Sequence, residues 1–182
     1  AATGVLNSKT TEGGMVDWHF QAENVIDFAW FTSPAFRHEK YTGVVAGQNK
    51  VDLNVYYDPR DSVLWSKAGV YAARALEFYS DWLGAYPYQQ MSVVSAPLSA
   101  GGGMEYPMVA QIGYMEDSAS LDLVIAHEIG HTWLYGILAN NERAHPWMDE
   151  GLNSFIEAQY TAKYQPAYRE AYLPREYTTR AS

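Results

Sequence analysis

Cysteine is absent from the 182 residues. That excludes disulfide scaffolds, thiol nucleophiles and thiolate-ligated zinc, and leaves any metal to His and carboxylate donors. Basic residues are scarce as well: 12 Lys and Arg stand against 21 Asp and Glu, a net charge of −9. A chain this acidic lacks the counterion-releasing contacts that drive nucleic-acid binding, and anionic membrane surfaces are excluded on the same ground. Charged residues make up only 18% of the chain, against ~25% in an average soluble protein. No apolar run approaches the ~18–20 residues of a membrane span. Internal repeats and low-complexity tracts are missing too. What the chain does have is 15 Tyr, 6 Trp and 6 Phe, and a length suited to one domain that buries its core without metal or disulfide staples. A metal here would need a chemical reason. The first residues, Ala1, Ala2, Thr3 and Gly4, show neither Met nor a signal-peptide pattern, so the expectation is a chain processed or excised from a longer one. The compartment stays open, the bacterial cell envelope or periplasm being favoured over the cytoplasm.

The first fourteen residues are polar and read as a weakly packed lead-in. Trp18 and Phe20 alternate with His19 and Gln21, which suggests a short strand. Val51, Leu53, Val55 and Tyr57 alternate with Asp52, Asn54 and Tyr56, predicting a second strand with one buried face behind a turn at 47–50. A long helix is expected over Ser62–Leu83, capped by Asp61 or Ser62 and stopped at Gly84. Short strands are expected at Met91–Ser95 and Met108–Tyr114, separated by the glycines Gly101–Gly103. Two further helices follow, at about Leu121–Leu138 behind Ser120 and about Trp147–Tyr164 behind Pro146. Strands first and helices afterwards argue for an α+β fold with helices packed to one side of a sheet.

The chemistry concentrates in His127, Glu128 and His131, an HExxH pattern. Residues four apart lie one helical turn apart on the same face, so both imidazoles can address one ion while Glu128 leans beside it. The flanking Leu121, Leu123, Val124, Ile125, Ala126, Ile129, Trp133 and Leu134 make this helix apolar nearly all round, so HExxH is expected on a buried helix. Buried His and Glu cost several kcal/mol, about 2–7 for a polar group left without partners, unless paired or metal-bound. A catalytic zinc typically takes three protein ligands and leaves a position for water. Glu150, with eighteen residues between it and His131, stands at the start of the next predicted helix and can be the third. Glu150, Asn153, Ser154 and Glu157 share one polar face, from which Glu157 can accept a hydrogen bond from a ligand imidazole. Plainer readings exist for each: histidines satisfied by core hydrogen bonds, Glu150 as a solvated carboxylate favoured by the helix dipole, Glu157 as a surface residue, and the glycines as a flexible turn. His19, His38 and His145 belong to no motif.

HExxH-x18-E, taken with Gly102, Gly103, Met104 and Glu105 about twenty residues upstream, resembles the M1 family of zinc aminopeptidases, which pairs a GxMEN exopeptidase motif with this zinc spacing in this order. The stretch Asp27, Phe28, Ala29 and Trp30 is similar to that family as well. The resemblance covers about Trp18 to Tyr160. It implies a thermolysin-like zincin catalytic domain with a mixed sheet over residues 18–182, truncated at its C-terminal side, with 1–17 as lead-in or the end of a preceding domain. It implies that one zinc ion is bound by His127, His131 and Glu150, that Glu128 activates water, and that Glu105 holds the α-ammonium of a peptide with a free N-terminus. The backbone of Gly102, Gly103 and Met104 would lie along that peptide. Physical chemistry agrees with the last two assignments: a fixed carboxylate recognises a cationic chain end, and glycines let an extended peptide pair with the backbone. Tyr106 stands where the family has Asn, so fine substrate preference does not carry over.

The family also has a transition-state-stabilising Tyr further beyond the third ligand. Tyr160, Tyr164, Tyr168, Tyr172 and Tyr177 lie too near in sequence to be assigned that role. The family's N- and C-terminal domains are likewise expected outside this chain. The function expected is a zinc-dependent aminopeptidase, here as a partial catalytic domain of weak or no activity by itself. The alternatives are a zinc endopeptidase and a non-catalytic or inactive zinc-binding fragment that recognises peptides.

Overall fold

A computed structural model of the chain describes residues 1–99 and 102–168. Gly101, Tyr172 and Tyr177 lie outside the described residues. β1 (Val5–Glu12) and β2 (Met15–Gln21) form an antiparallel ribbon of their own. The other strands are β3 (Arg37–Ala46), β4 (Asn49–Tyr57), β5 (Gln90–Ser95), β6 (Gly103–Tyr106) and β7 (Val109–Ile112). They make one mixed sheet in the order β3-β4-β5-β7-β6, with β4, β5 and β7 parallel and the two edge strands antiparallel to their neighbours. Leu53 pairs with Met91 and Val93 with Ala110 across its centre. The predicted alternation holds in β4, where Val51, Leu53, Val55 and Tyr57 are buried. They join a single core with Leu76 and Tyr79 of α2 (Ala68–Leu83), Ile125 and Ile129 of α3 (Ser118–His131), and Ile156 and Tyr160 of α4 (Leu152–Tyr164).

Several sequence expectations are corrected. The polar lead-in contains a strand, β1, mostly exposed on both faces, so no apolar alternation could mark it. β3, another strand with mostly exposed residues, gave no signal for the same reason. The helix expected over Ser62–Leu83 is two helices, α1 (Ser62–Trp65) and α2, preceded by a 3-10 turn that the Asp58 side chain caps. Ser66 Oγ donates to the Val63 carbonyl at 2.8 Å, taking up an acceptor at the break. β7 starts after Met108, which sits at φ 61° in the tight β6–β7 turn behind Pro107. The helix expected to begin behind Ser120 begins at Ser118, because Asp117 Oδ1 accepts the amides of Ala119 and Ser120 at 2.8 and 2.9 Å. It gives way after His131 to a π-helical stretch, Thr132–Ile137. A second π-helical turn, Trp147–Gly151, leads into α4. Among the described residues, no helix is long and apolar enough to cross a membrane.

Candidate metal centre

The four-residue spacing on α3 brings His127 and His131 together as helix geometry requires, with Nε2 atoms 3.0 Å apart. The α3–α4 connection returns the chain so that Glu150, in the π-helical turn before α4, places Oε2 3.5 Å from His127 Nε2. Each outer nitrogen is held by a carboxylate. His127 Nδ1 lies 2.9 Å from Glu157 Oε2, and His131 Nδ1 lies 2.5 Å from Asp149 Oδ1, in both cases orienting the ring so that Nε2 faces inward. Two ligand atoms on a tetrahedral zinc ion are about 3.3 Å apart, so 3.0 and 3.5 Å suit a small cation among the three donors. Glu105, His131 and Asp149 also converge within 4.8 Å, but that grouping uses a carboxylate already engaged with His131 Nδ1. The first grouping fits a metal better, since it keeps both outer-nitrogen bonds.

Charge at the cavity follows from this geometry. Burial by itself would lower the His127 imidazole, but hydrogen bonds to Glu150 and Glu157 outweigh it and carry the group up to about 10. Burial likewise opposes, and the Asp149 hydrogen bond overcomes, in the raised His131. Metal uptake at this site therefore competes with protons for the imidazoles. Burial pushes Glu128 up to about 7 against the opposing charges of His127 and His131, with Glu105 and Glu150 adding to the rise. A carboxyl poised there can exchange protons near neutral pH. Its Oε2 is buried and has no hydrogen-bond partner among the described residues.

These groups line one cavity of about 570 Å³ together with Gly102, Gly103, Met104, Glu105, Glu142 and Arg143. β6 forms its wall as the sheet's edge strand. Glycine at 103 leaves room for the Glu128 carboxyl group, which a Cβ there would displace. The residues singled out in the sequence, His127, Glu128, His131, Glu150, Glu157, Gly102, Gly103, Met104 and Glu105, therefore all border this cavity. Asp149 and Glu142 were missed. For Asp149 a signal existed, a carboxylate directly before the third ligand; for Glu142, whose carboxyl is raised by burial and by Glu105 and Asp149, none did. No tyrosine lines the cavity among the described residues. Tyr160 is engaged with Asp122, Tyr164 packs on Phe78, and the Tyr168 hydroxyl lies 3.1 Å from Ser120 Oγ.

Comparison with known proteins gives concordant findings. The model of the peptidase family M1 domain matches residues 70–181. Leukotriene A-4 hydrolase of Xenopus laevis is 29% identical over 101 residues, covering 53% of this chain and 17% of that protein. Aminopeptidase M1-C of Oryza sativa subsp. japonica is 28% identical over 126 residues, covering 63% of this chain and 14% of its own length. The chain thus spans less than one fifth of these relatives. In fold it is similar to a crystal structure of an M1 zinc metallopeptidase from Deinococcus radiodurans, with a TM-score of 0.70 and 18% identity over 96% of this chain and 42% of that one.

Proposed function

The chain belongs to peptidase family M1, and from that premise we propose that it carries the zinc-holding and water-activating part of an aminopeptidase. One observation carries the reading: two imidazole Nε2 atoms and the Glu150 carboxylate converge within 4.8 Å, with both outer nitrogens held by carboxylates. His127, His131 and Glu150 would hold the ion. Bound zinc supplies Lewis acidity and a water that loses its proton near neutral pH. Glu128, whose buried Oε2 has no partner among the described residues, would accept a proton from the attacking water and hand it to the leaving amine. The outer edge of β6, unpaired among the described residues, would pair with an extended peptide as an added strand. Glu105, on that strand and in the same cavity, binds the α-ammonium and so positions the scissile bond one residue from the chain end. Leukotriene A-4 hydrolase and aminopeptidase M1-C, both relatives by sequence, support an activity of this class. The chain spans less than one fifth of these relatives, and no tyrosine among the described residues lines the cavity, so residues 1–182 alone are expected to turn over slowly.

The test is hydrolysis of matched peptides with free and N-acetylated amino termini by the zinc-loaded protein, before and after Glu105→Ala. Preference for the free terminus, lost in the variant, is the expected result. Equal cleavage of both peptides by the unaltered protein would make it an endopeptidase, and binding without cleavage a peptide-recognition module.

A further inference from the structure

Asp122 on α3 is fully buried and lies outside the metal cavity. Its Oδ1 accepts the Tyr160 hydroxyl at 2.7 Å and its Oδ2 accepts Gln165 Nε2 at 2.6 Å, while Arg74 of α2 forms an ion pair with it. Arg74 Nε also donates to the Tyr160 oxygen at 2.9 Å, and its guanidinium lies 4.4 Å from the Tyr164 ring centre. Helices α2, α3 and α4 are joined at one point by this cluster. Buried ion pairs seldom stabilise a fold more than apolar residues of the same volume would, because desolvation offsets the attraction. What they add is direction, since each hydrogen bond is satisfied in one arrangement only.

That direction bears on the metal centre. Along α3, Asp122 precedes His127 by five residues, roughly 7.5 Å of helix; along α4, Tyr160 follows Glu157 by three, roughly 4.5 Å. At the far end of these stretches Glu157 meets His127 Nδ1 at 2.9 Å, and one turn further along α4 Asn153 Nδ2 donates to the His127 carbonyl at 2.8 Å. Asn153, Glu157 and Tyr160 therefore form a polar seam on α4, matched to His127 and Asp122 on α3. Gly130 allows the close approach, because a Cβ there would run into Asn153 and the Tyr79 ring. A slide of α4 by one residue would break all three seam contacts together.

We infer that Arg74, Asp122 and Tyr160 are positioning residues for the metal centre: their cluster sets the register of α4 on α3 and so keeps Glu157 on His127 Nδ1. The inference rests on the zinc reading above. Tyr160→Phe keeps the ring and its edge contact with Phe78, at 5.3 Å, and removes only the hydroxyl. Zinc affinity, measured by chelator competition on the full chain, and the visible absorption of the Co2+ form are compared for wild type, Tyr160→Phe, Glu157→Gln and the double variant. Removing a ligand's hydrogen-bond partner weakens metal binding about tenfold or more, which bounds the effect of Tyr160→Phe: it should lose up to about tenfold and shift the Co2+ bands. The double variant should bind no more weakly than Glu157→Gln alone, because the hydroxyl acts through that carboxylate. Asp122→Asn, assayed alongside, should weaken binding in the same direction and serves in place of Tyr160→Phe if that variant does not fold. Losses that add in the double variant, or unchanged affinity in Tyr160→Phe and Asp122→Asn while wild type binds zinc, overturn the positioning role and leave the zinc site standing. Failure of wild type to take up zinc overturns the zinc reading and this role with it.

Discussion

Replacing Glu128 by Gln should separate stability from catalysis. Glu128 is 5% exposed and one of its carboxyl oxygens is buried with no partner among the described residues, so ionising it in the fold is costly. A pKa unit is worth about 1.4 kcal/mol. Carrying the group from its ordinary 4.5 up to about 7 therefore removes about 3 kcal/mol of folding free energy once it is ionised. The sign follows from proton binding. The folded chain holds this proton more tightly than the unfolded chain, so stability is complete below the unfolded pKa near 4.5 and declines as pH rises through 7. Gln has nearly the same shape and cannot ionise. In metal-free protein, urea melts should show Glu128→Gln about 3 kcal/mol more stable than wild type at pH 8 to 9 and equal to it near pH 4. Hydrolysis by the zinc-loaded variant should fall by about 10²-fold or more, the usual contribution of a general base. A variant less stable than wild type at pH 8, or one that hydrolyses aminoacyl substrates at the wild-type rate, refutes the reasoning.

Three further outcomes are expected. Asp149→Ala removes the partner of His131 Nδ1 and should weaken zinc binding by about 10–100-fold, read by chelator competition. Gly103→Ala places a methyl group against the Glu128 carboxyl, so hydrolysis should drop sharply while zinc affinity, which Glu128 does not supply, stays within about threefold; that split is read by comparing kcat with metal titration. Asp117→Ala removes the α3 cap and should cost about 1 kcal/mol at pH 7. Backbone and side-chain hydrogen bonds from Ser120 hold the Asp117 carboxyl below its ordinary 3.8, so its contribution is present above that pH and lost as pH falls through the lower folded value. Melts at pH 7 and pH 2 should show the difference between variant and wild type shrinking in acid.

Legibility in the sequence tracked how local each feature is. β4 and the HExxH helix were readable because burial of one face repeats every second residue in the strand and the ligands repeat every fourth in the helix. β1 and β3 were not, because their side chains are mostly exposed and nothing apolar alternates. The helix expected as one piece over Ser62–Leu83 divides where Ser66 bonds a carbonyl, a competition that periodicity does not reveal. The π-helical turn holding Glu150 was hidden for a related reason, since residues compatible with an α-helix are equally compatible with a wider one.

The sequence by itself determined that two imidazoles and a carboxylate occur at the pitch of one helix, in a chain without thiols to compete for a metal. It determined that much because a four-residue spacing closes within a single turn, whatever the rest of the molecule does. Only the tertiary structure decided which carboxylates meet those imidazoles. Glu150 and Asp149 arrive through the return of the chain after α3, Glu157 through the seating of α4, and Glu105 through β6 taking the sheet edge beside the helix. Each convergence joins segments some twenty to thirty residues apart. Their meeting depends on how sheet and helices share one core, which no contiguous stretch of residues encodes.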